Sequence, residues 1–174
     1  ARMGAGRLGV AVALLCGLAS WVSPGSAEER VRPSALAGAW YPGDLQGLGE
    51  LVDGYLAEAG AAASPDDIRA LVVPHAGYRY SGRTAAAAFA LVRGQTYRRV
   101  LVLAPSHHGG FRGLSLAEVD AYSTPLGQVP LDREVVGRLR QSPLVGADPL
   151  AHRQEHAIEI ELPFLQRALA PGWG

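Results

Sequence analysis

A run of β-branched residues and leucines at residues 99–104, RVLVLA, leads directly into residues 105–110, PSHHGG. The same order occurs upstream, where the largely apolar residues 68–74 continue into residues 75–78, HAGY. A nearly continuous apolar run is typical of a parallel strand that is buried on both faces. We therefore predict two parallel strands, over residues 68–74 and 99–104, each followed at once by a loop that contains histidine.

An alanine-rich segment, residues 83–93, lies between the two predicted strands and is expected to be helical. Strand, helix and strand within about 30 residues have the dimensions of a right-handed βαβ unit. Because parallel strands end at the same edge of a sheet, His75 and His107 are expected to meet at that edge. Open α/β sheets bind their ligands at this position.

Further elements are expected on both sides of this unit. Apolar residues recur every three and four positions over residues 45–56, and Asp44 is the expected N-cap of that helix. Asp132 similarly caps a predicted helix over residues 133–141. Residues 157–162 alternate like a strand, but the spacing through residue 169 favours a helix that starts or bends near Pro163. The predicted fold class is α/β, with a mostly parallel or mixed sheet flanked by helices.

The composition excludes several classes of function. The chain has 174 residues, 48% of them hydrophobic, which suits one globular domain with a buried core. The 16 basic and 16 acidic residues balance and form no long run, so the charge pattern of a nucleic-acid binder is absent. No lysine occurs, which excludes a Walker-type or Schiff-base lysine. The single cysteine, Cys16, cannot form an internal disulfide.

Residues 1–27 have the pattern of an export signal. Arg2 and Arg7 precede an apolar run over residues 8–22, and small residues follow up to Ala27. The run is shorter than the ~20 residues that span a bilayer, so a membrane anchor is the less favoured alternative. We expect cleavage near Ala27, a short linker at residues 28–33 and a folded part over residues 34–174. The mature protein is then expected in the periplasm or outside the cell, without membrane contact; the alternative is a cytoplasmic protein.

The five histidines lie between residues 75 and 156 and carry the candidate chemistry. An imidazole at a strand end is a common metal ligand, so His75 and His107 are either ligands or structural loop residues. Adjacent side chains diverge, so His108 is not expected to share the site of His107. His156 lies three residues before Glu159, and the two are either a base with its orienting carboxylate or a buried polar pair.

Two other side chains also have two interpretations each. His152 lies four residues before His156 and would share its face on a helix, either as a ligand or as a surface or core residue. Tyr78 follows the loop of His75 and either lines a pocket or packs in the core. The residues alone leave both questions open.

Five motifs in a fixed order give the sequence a family resemblance. They are AWYP at residues 39–42, VPHAGY at 73–78, LAPSHH at 103–108, YSTPLG at 122–127 and EHAIEIELPF at 155–164. The chain resembles the Memo family, whose bacterial members are called AmmeMemoRadiSam system protein B. The resemblance covers residues 33–174 and is far more specific than any one histidine.

The resemblance implies an α/β fold related to the class III extradiol dioxygenases, with a non-haem iron site. His75 and His107 match two histidine ligands of the family. His156 matches another motif histidine, which implies a catalytic role beside the metal or in the pocket wall, and Tyr78 and Glu159 are taken as binding residues. Family members draw further ligands, including a cysteine, from a carboxyl-terminal half, so this chain is expected to be the amino-terminal portion of a longer domain.

Two functions are consistent with the resemblance. The first is a metal-binding protein whose non-haem iron performs oxygen-dependent or redox chemistry on an unknown small substrate. The second is a non-catalytic module that binds a peptide or another small ligand in the same cleft. Oxygen consumption with catechols distinguishes them, because only the first function consumes oxygen. Neither function requires a nucleic acid or a membrane as partner.

Overall fold

The computed structural model describes residues 29–60 and 68–173 of the chain, and within them helices and short strands alternate. The helices are α1 (Leu45–Glu58), α2 (Tyr78–Phe89), α3 (Arg133–Leu139), α4 (Leu150–Arg153) and α5 (Leu162–Ala168). The strands are β1 (Val31–Arg32), β2 (Leu114–Ser115), β3 (Ala121–Thr124), β4 (Gly127–Pro130) and β5 (Val145–Gly146). Single 3₁₀ turns at Ala90–Val92 and Glu159–Glu161 extend α2 and precede α5.

The helix boundaries agree with the local signals in the sequence. The Asp44 carboxylate accepts a hydrogen bond from the backbone N–H of Gly47 at 2.8 Å and so caps α1 as predicted. Asp132 caps α3 in the same way, at 3.0 Å from the N–H of Val135. The predicted helix near Pro163 is confirmed, because α5 carries this proline in its first turn, where a missing N–H costs nothing.

Two small sheets make the architecture mixed α/β. In the first, β3 is central and pairs in parallel with β1, Val31 opposite Ala121, and antiparallel with β4. In the second, β2 and β5 pair in parallel, Leu114 opposite Val145. Strand β1 lies inside residues 28–33, the segment expected to be a linker, and its Arg32 is buried. Sequence-distant pairing therefore fixes this segment to the rest of the fold.

The two strands predicted at residues 68–74 and 99–104 are not found in the structure, which corrects the βαβ prediction. The predicted helix between them is present as α2. Strands of a parallel sheet are covered on both faces, but Val72 is 98% exposed and Leu101 and Leu103 are each 70% exposed. One face of each segment is therefore exposed to solvent, and neither segment forms the backbone hydrogen bonds of a β-sheet. Both segments still lead into the histidine loops.

The core lies between α1, α2 and α5. Leu48, Val52 and Leu56 of α1 are fully buried and face the other two helices. Phe89 of α2 and Phe164 of α5 stack with ring centroids 5.3 Å apart and an interplanar angle of 2°. The ring of Tyr78, at the start of α2, also lies 4.9 Å from that of Phe164 near the start of α5. This contact brings together the starts of the two helices, which is where two of the histidine loops arrive.

Close packing of α1 on α2 depends on Gly82. A Cβ atom at this position would lie 2.6 Å from Cε2 of Tyr55, whose ring is buried in the core. We expect Gly82→Ala to lower the free energy of unfolding by roughly 1–2 kcal/mol, because the clash exceeds the gain in helix propensity. Urea denaturation followed by circular dichroism measures the change. Gly54→Ala in α1 is the matched control: no atom lies within 4 Å, so it should be neutral or stabilising, and equal effects of the two variants would contradict the packing argument.

The predicted export signal at residues 1–27 lies outside the described residues. Within residues 29–60 and 68–173, no helix has the length and apolar character needed to cross a membrane.

Candidate metal centre

Three histidines from three separate loops come together at one place in the fold. His75 precedes α2, His107 follows residues 99–104, and His156 lies between α4 and the 3₁₀ turn before α5. One ring nitrogen of each lies within 4.8 Å of one ring nitrogen of the other two. The rings of His107 and His156 stack at 4.4 Å between centroids, and His75 lies 5.4 Å from His107 and 5.8 Å from His156. The predicted meeting of His75 and His107 is therefore confirmed.

Hydrogen bonds fix the loop that carries His75. The hydroxyl of Ser81 in α2 donates to the carbonyl of Ala76 at 2.9 Å. The backbone N–H of Tyr78 donates to the carbonyl of Trp40 at 3.1 Å, so the loop is also held from the amino-terminal segment. His75 thus enters the cluster from a short, doubly anchored loop.

Glu155 joins the other two histidine loops. Its Oε2 accepts the backbone N–H of His107 at 2.6 Å, and its Oε1 lies 2.9 Å from Nδ1 of the His107 ring. Oε1 also accepts the backbone N–H groups of His156 and Ala157, at 2.8 and 2.9 Å. Nδ1 of the His156 ring lies 3.3 Å from the same oxygen. One buried carboxylate therefore contacts both the backbone and the imidazole of two clustered histidines.

These contacts determine the charge state of the carboxylate. Burial alone would raise the pKa of Glu155, but the hydrogen bonds from His107 and from the backbone of Ala157 and His156 lower it from 4.5 to about 2. The carboxylate is therefore ionised at all ordinary pH values. The pKa of His156 is lowered by burial and further by the neighbouring His107 and His75, although Glu155 opposes this shift. A lowered pKa favours the neutral imidazole, which is the form that binds metals.

The donor set fits a transition metal. Three imidazole nitrogens are suitable ligands for zinc, copper, iron and nickel, whereas magnesium and calcium prefer oxygen. Nitrogen atoms bound to one such metal at about 2.0–2.1 Å lie about 3 Å from each other. The ring nitrogens of the cluster are spread over up to 4.8 Å, so the rings would have to move inward to bind one such metal together. The His107 side chain is 40% exposed, so the cluster is open to solvent on that side.

Glu159 does not contact His156 in the way that their spacing suggested. Residues 155–158 are not helical, so an i, i+3 pair on this segment does not share a face. The fully buried carboxylate of Glu159 instead binds the amino-terminal segment, and its partners are the Arg32 guanidinium at 3.0 Å, the backbone N–H groups of Ala35 and Leu36 at 2.9 Å, and the Tyr41 hydroxyl at 2.6 Å. Glu159 thereby holds residues 32–41 beside the cluster.

Tyr78 packs in the core rather than lining an open pocket. Its side chain is only 2% exposed, and its ring lies 4.9 Å from that of Phe164 and 5.5 Å from that of Tyr41. The hydroxyl donates to the carbonyl of Ile160 at 2.8 Å. Burial, with the nearby Glu161, raises the pKa of Tyr78 well above 10, so the hydroxyl stays protonated.

The remaining histidines lie outside the three-histidine cluster. Nε2 of His152 is 2.8 Å from the hydroxyl of Ser115 in β2, so this ring points to the second sheet. His108 is exposed, as expected from its divergence from His107. Sequence reasoning assigned no role to Trp40, whose ring lies 4.7 Å from that of His156 and remains 40% exposed. Trp40 forms one wall of the cluster, and no periodicity around it predicts that position.

Comparison with known proteins identifies relatives of this chain. Residues 32–171 match the family model described as Memo-like protein. A MEMO1 family protein of Aquifex aeolicus (strain VF5) is 38% identical over 141 residues, which are 79% of this chain and 50% of that protein. Protein MEMO1 of Xenopus laevis is 37% identical, and that of Homo sapiens 34% identical, each over 139 residues that make up 79% of this chain and 46% of the relative.

The chain thus spans about half the length of the curated relatives it matches. The matched region contains the three clustered histidines, Glu155 and the buried Glu159. The resemblance read from the five motifs is confirmed by a match over most of the chain. The chain belongs to the Memo-like protein family.

Proposed function

We propose that this chain contributes His75 and His107 to a non-haem iron site that performs oxygen-dependent or redox chemistry on a small substrate. The observation that carries the proposal is the convergence of three imidazoles on one point of the fold. Neutral imidazole is a common ligand for iron in proteins. Because the chain spans about half the length of its relatives, the activity is proposed for the protein that contains this half of the domain.

Each residue of the cluster has a distinct role in this proposal. His75 and His107 supply nitrogen ligands from opposite loops. Iron held in this way would leave coordination positions for substrate and oxygen, as in sites with three protein ligands on one face. His156 lies against both rings, and we assign it the role of a base that accepts a proton from a bound substrate. Trp40 limits access of water from the side of His156.

A second function is supported by the exposed part of Trp40. An indole that is 40% exposed next to a polar cluster offers an apolar surface on which a peptide or a planar ligand can rest. A non-catalytic binding module would use the histidine cluster and the adjoining face of Trp40, without oxygen chemistry.

Metal titration followed by oxygen uptake tests the two functions. The metal-free full-length protein that contains this chain is titrated with iron(II) under anaerobic conditions, and bound iron is measured by elemental analysis after dialysis. We expect iron to be retained and magnesium, which prefers oxygen ligands, not to be retained. The iron-loaded protein is then mixed with catechol at an oxygen electrode. Oxygen uptake supports the first function, retained iron without uptake favours the binding module, and no retained iron contradicts the metal site.

A further inference from the structure

We propose that Glu155 is the positioning residue of the metal centre: its carboxylate accepts the Nδ1–H of His107 and thereby leaves Nε2 as the ligating nitrogen. The inference rests on the proposed metal site and adds to it the nitrogen atom through which His107 binds. The observation that supports this proposal is the distance of 2.9 Å between Oε1 of Glu155 and Nδ1 of His107.

The geometry excludes the opposite tautomer as the stable one. Oε1 of Glu155 is an acceptor with no proton to donate, since its neighbours His156 and Ala157 both point backbone N–H groups at it. A ring nitrogen at hydrogen-bond distance from an ionised carboxylate must therefore carry the proton. In a neutral imidazole the second nitrogen is then unprotonated and free to bind a metal.

The same carboxylate also fixes the position of the ring in space. Oε2 accepts the backbone N–H of His107 at 2.6 Å, so both the backbone and the ring of this residue are held by one group. Glu155 is itself only 6% exposed, which limits the rotamers it can adopt. Because it also accepts the N–H of His156, Glu155 connects the two histidine loops.

A purely structural carboxylate would not need the contact with the ring. The three backbone N–H groups alone would satisfy Glu155 as a loop-closing acceptor. The fourth contact is directed at the imidazole of His107, one of the three clustered histidines. Carboxylates that orient metal-bound histidines in this way typically contribute about 10- to 100-fold to metal affinity.

The tautomer of His107 is the measurement that separates positioning from a structural role. Long-range proton–nitrogen correlation spectra of the metal-free full chain, recorded at about pH 8 where imidazoles are neutral, report which ring nitrogen carries hydrogen. We expect Nδ1–H for His107 in the parent chain. Glutamine has nearly the same shape as glutamate, but its NH2 group donates hydrogen bonds where the carboxylate accepts them. In Glu155→Gln the fraction of His107 that carries its proton on Nδ1 should therefore fall. A His107 proton on Nε2 in the parent chain would overturn the proposal without the need for any variant.

Iron affinity provides the second readout. Glu155→Gln is expected to bind iron(II) about 10- to 100-fold more weakly than the parent, with an unchanged circular dichroism spectrum. Glu161→Gln is the matched control, because it makes the same change on the same segment at a carboxylate that contacts no imidazole among the described residues. Affinity and tautomer should both be unchanged in the control.

If the parent binds no iron, the metal site is refuted, and the tautomer spectra still decide whether Glu155 positions His107. Parent-like tautomer and affinity in Glu155→Gln would overturn the positioning role.

Discussion

Replacing His75 or His107 with alanine is expected to weaken iron binding by the full chain by roughly 100-fold or more, because each substitution removes a ligand rather than a supporting group. The two rings enter the cluster from different loops, so loss of either one leaves only one of the two proposed nitrogen ligands in place. Each substitution leaves the backbone hydrogen bonds of its loop intact. The circular dichroism spectrum should therefore remain that of the parent.

His108 and His152 provide the matched controls for this prediction. His108 is adjacent to His107 but exposed and outside the cluster, and His152 binds Ser115 of the second sheet. Alanine at either position should leave iron binding unchanged. Elemental analysis after dialysis, beside circular dichroism, measures iron and fold in all four variants. Equal iron in His75→Ala and the parent would remove the cluster as the metal centre.

The largest expected effect on stability comes from Glu161. The residue is 5% exposed, and both of its carboxylate oxygens are buried without a hydrogen-bond partner in the part of the chain that the structure describes. Burial raises the pKa of Glu161 from 4.5 to about 8. Replacement by methionine, which has a similar size and no charge, is expected to raise the free energy of unfolding by roughly 3–5 kcal/mol at pH 8.

The sign of the pH dependence follows from the direction of the shift. Between pH 4.5 and about 8 the unfolded chain has lost the proton of Glu161, whereas the folded chain still holds it. The folded state therefore binds more protons in this range, and stability falls as pH rises through it. Glu155 acts in the opposite direction, but its stabilisation is lost only as pH falls from 4.5 through about 2, below this range. The two effects can be measured separately.

Urea denaturation at pH 4.5 and pH 8 tests the assignment. The gain from Glu161→Met should be small at pH 4.5, at most about 2 kcal/mol, because the parent carboxyl is then neutral and only its unmet hydrogen bonds are removed. Glu118→Met changes an exposed carboxylate and should shift stability by no more than about 0.5 kcal/mol at either pH. An equal gain from Glu161→Met at both pH values would show that ionisation of Glu161 carries no cost.

Local signals predicted the helices better than the strands. Asp44 and Asp132 each cap a helix through a bond to a residue three positions away, so the information is local and readable. Strand β1 has two residues and pairs with β3 about 90 positions later, and no local pattern encodes such a contact. The apolar runs at residues 68–74 and 99–104 have the composition of buried parallel strands. Such strands must also be packed against other elements on both faces, and Leu101 and Leu103 are instead exposed.

The candidate metal centre was also predictable only in part. His75 and His107 follow similar segments, and that symmetry predicted their meeting. The choice of Glu159 as the carboxylate partner assumed a helical spacing that residues 155–158 do not have. The true partner, Glu155, immediately precedes His156, and its contact with His107 spans 48 positions of the chain. Only the folded structure connects these two residues.

The ion pair between Arg32 and Glu159 has a consequence for synthesis of the protein. The two residues lie 127 positions apart, and a ribosome adds about 5–20 residues per second, so Arg32 waits roughly 6–25 s before its carboxylate partner has been made. For the first 90 of these positions β1 also lacks β3, its only strand neighbour among the described residues. The first part of the described fold to be translated is therefore among the last to form its tertiary contacts.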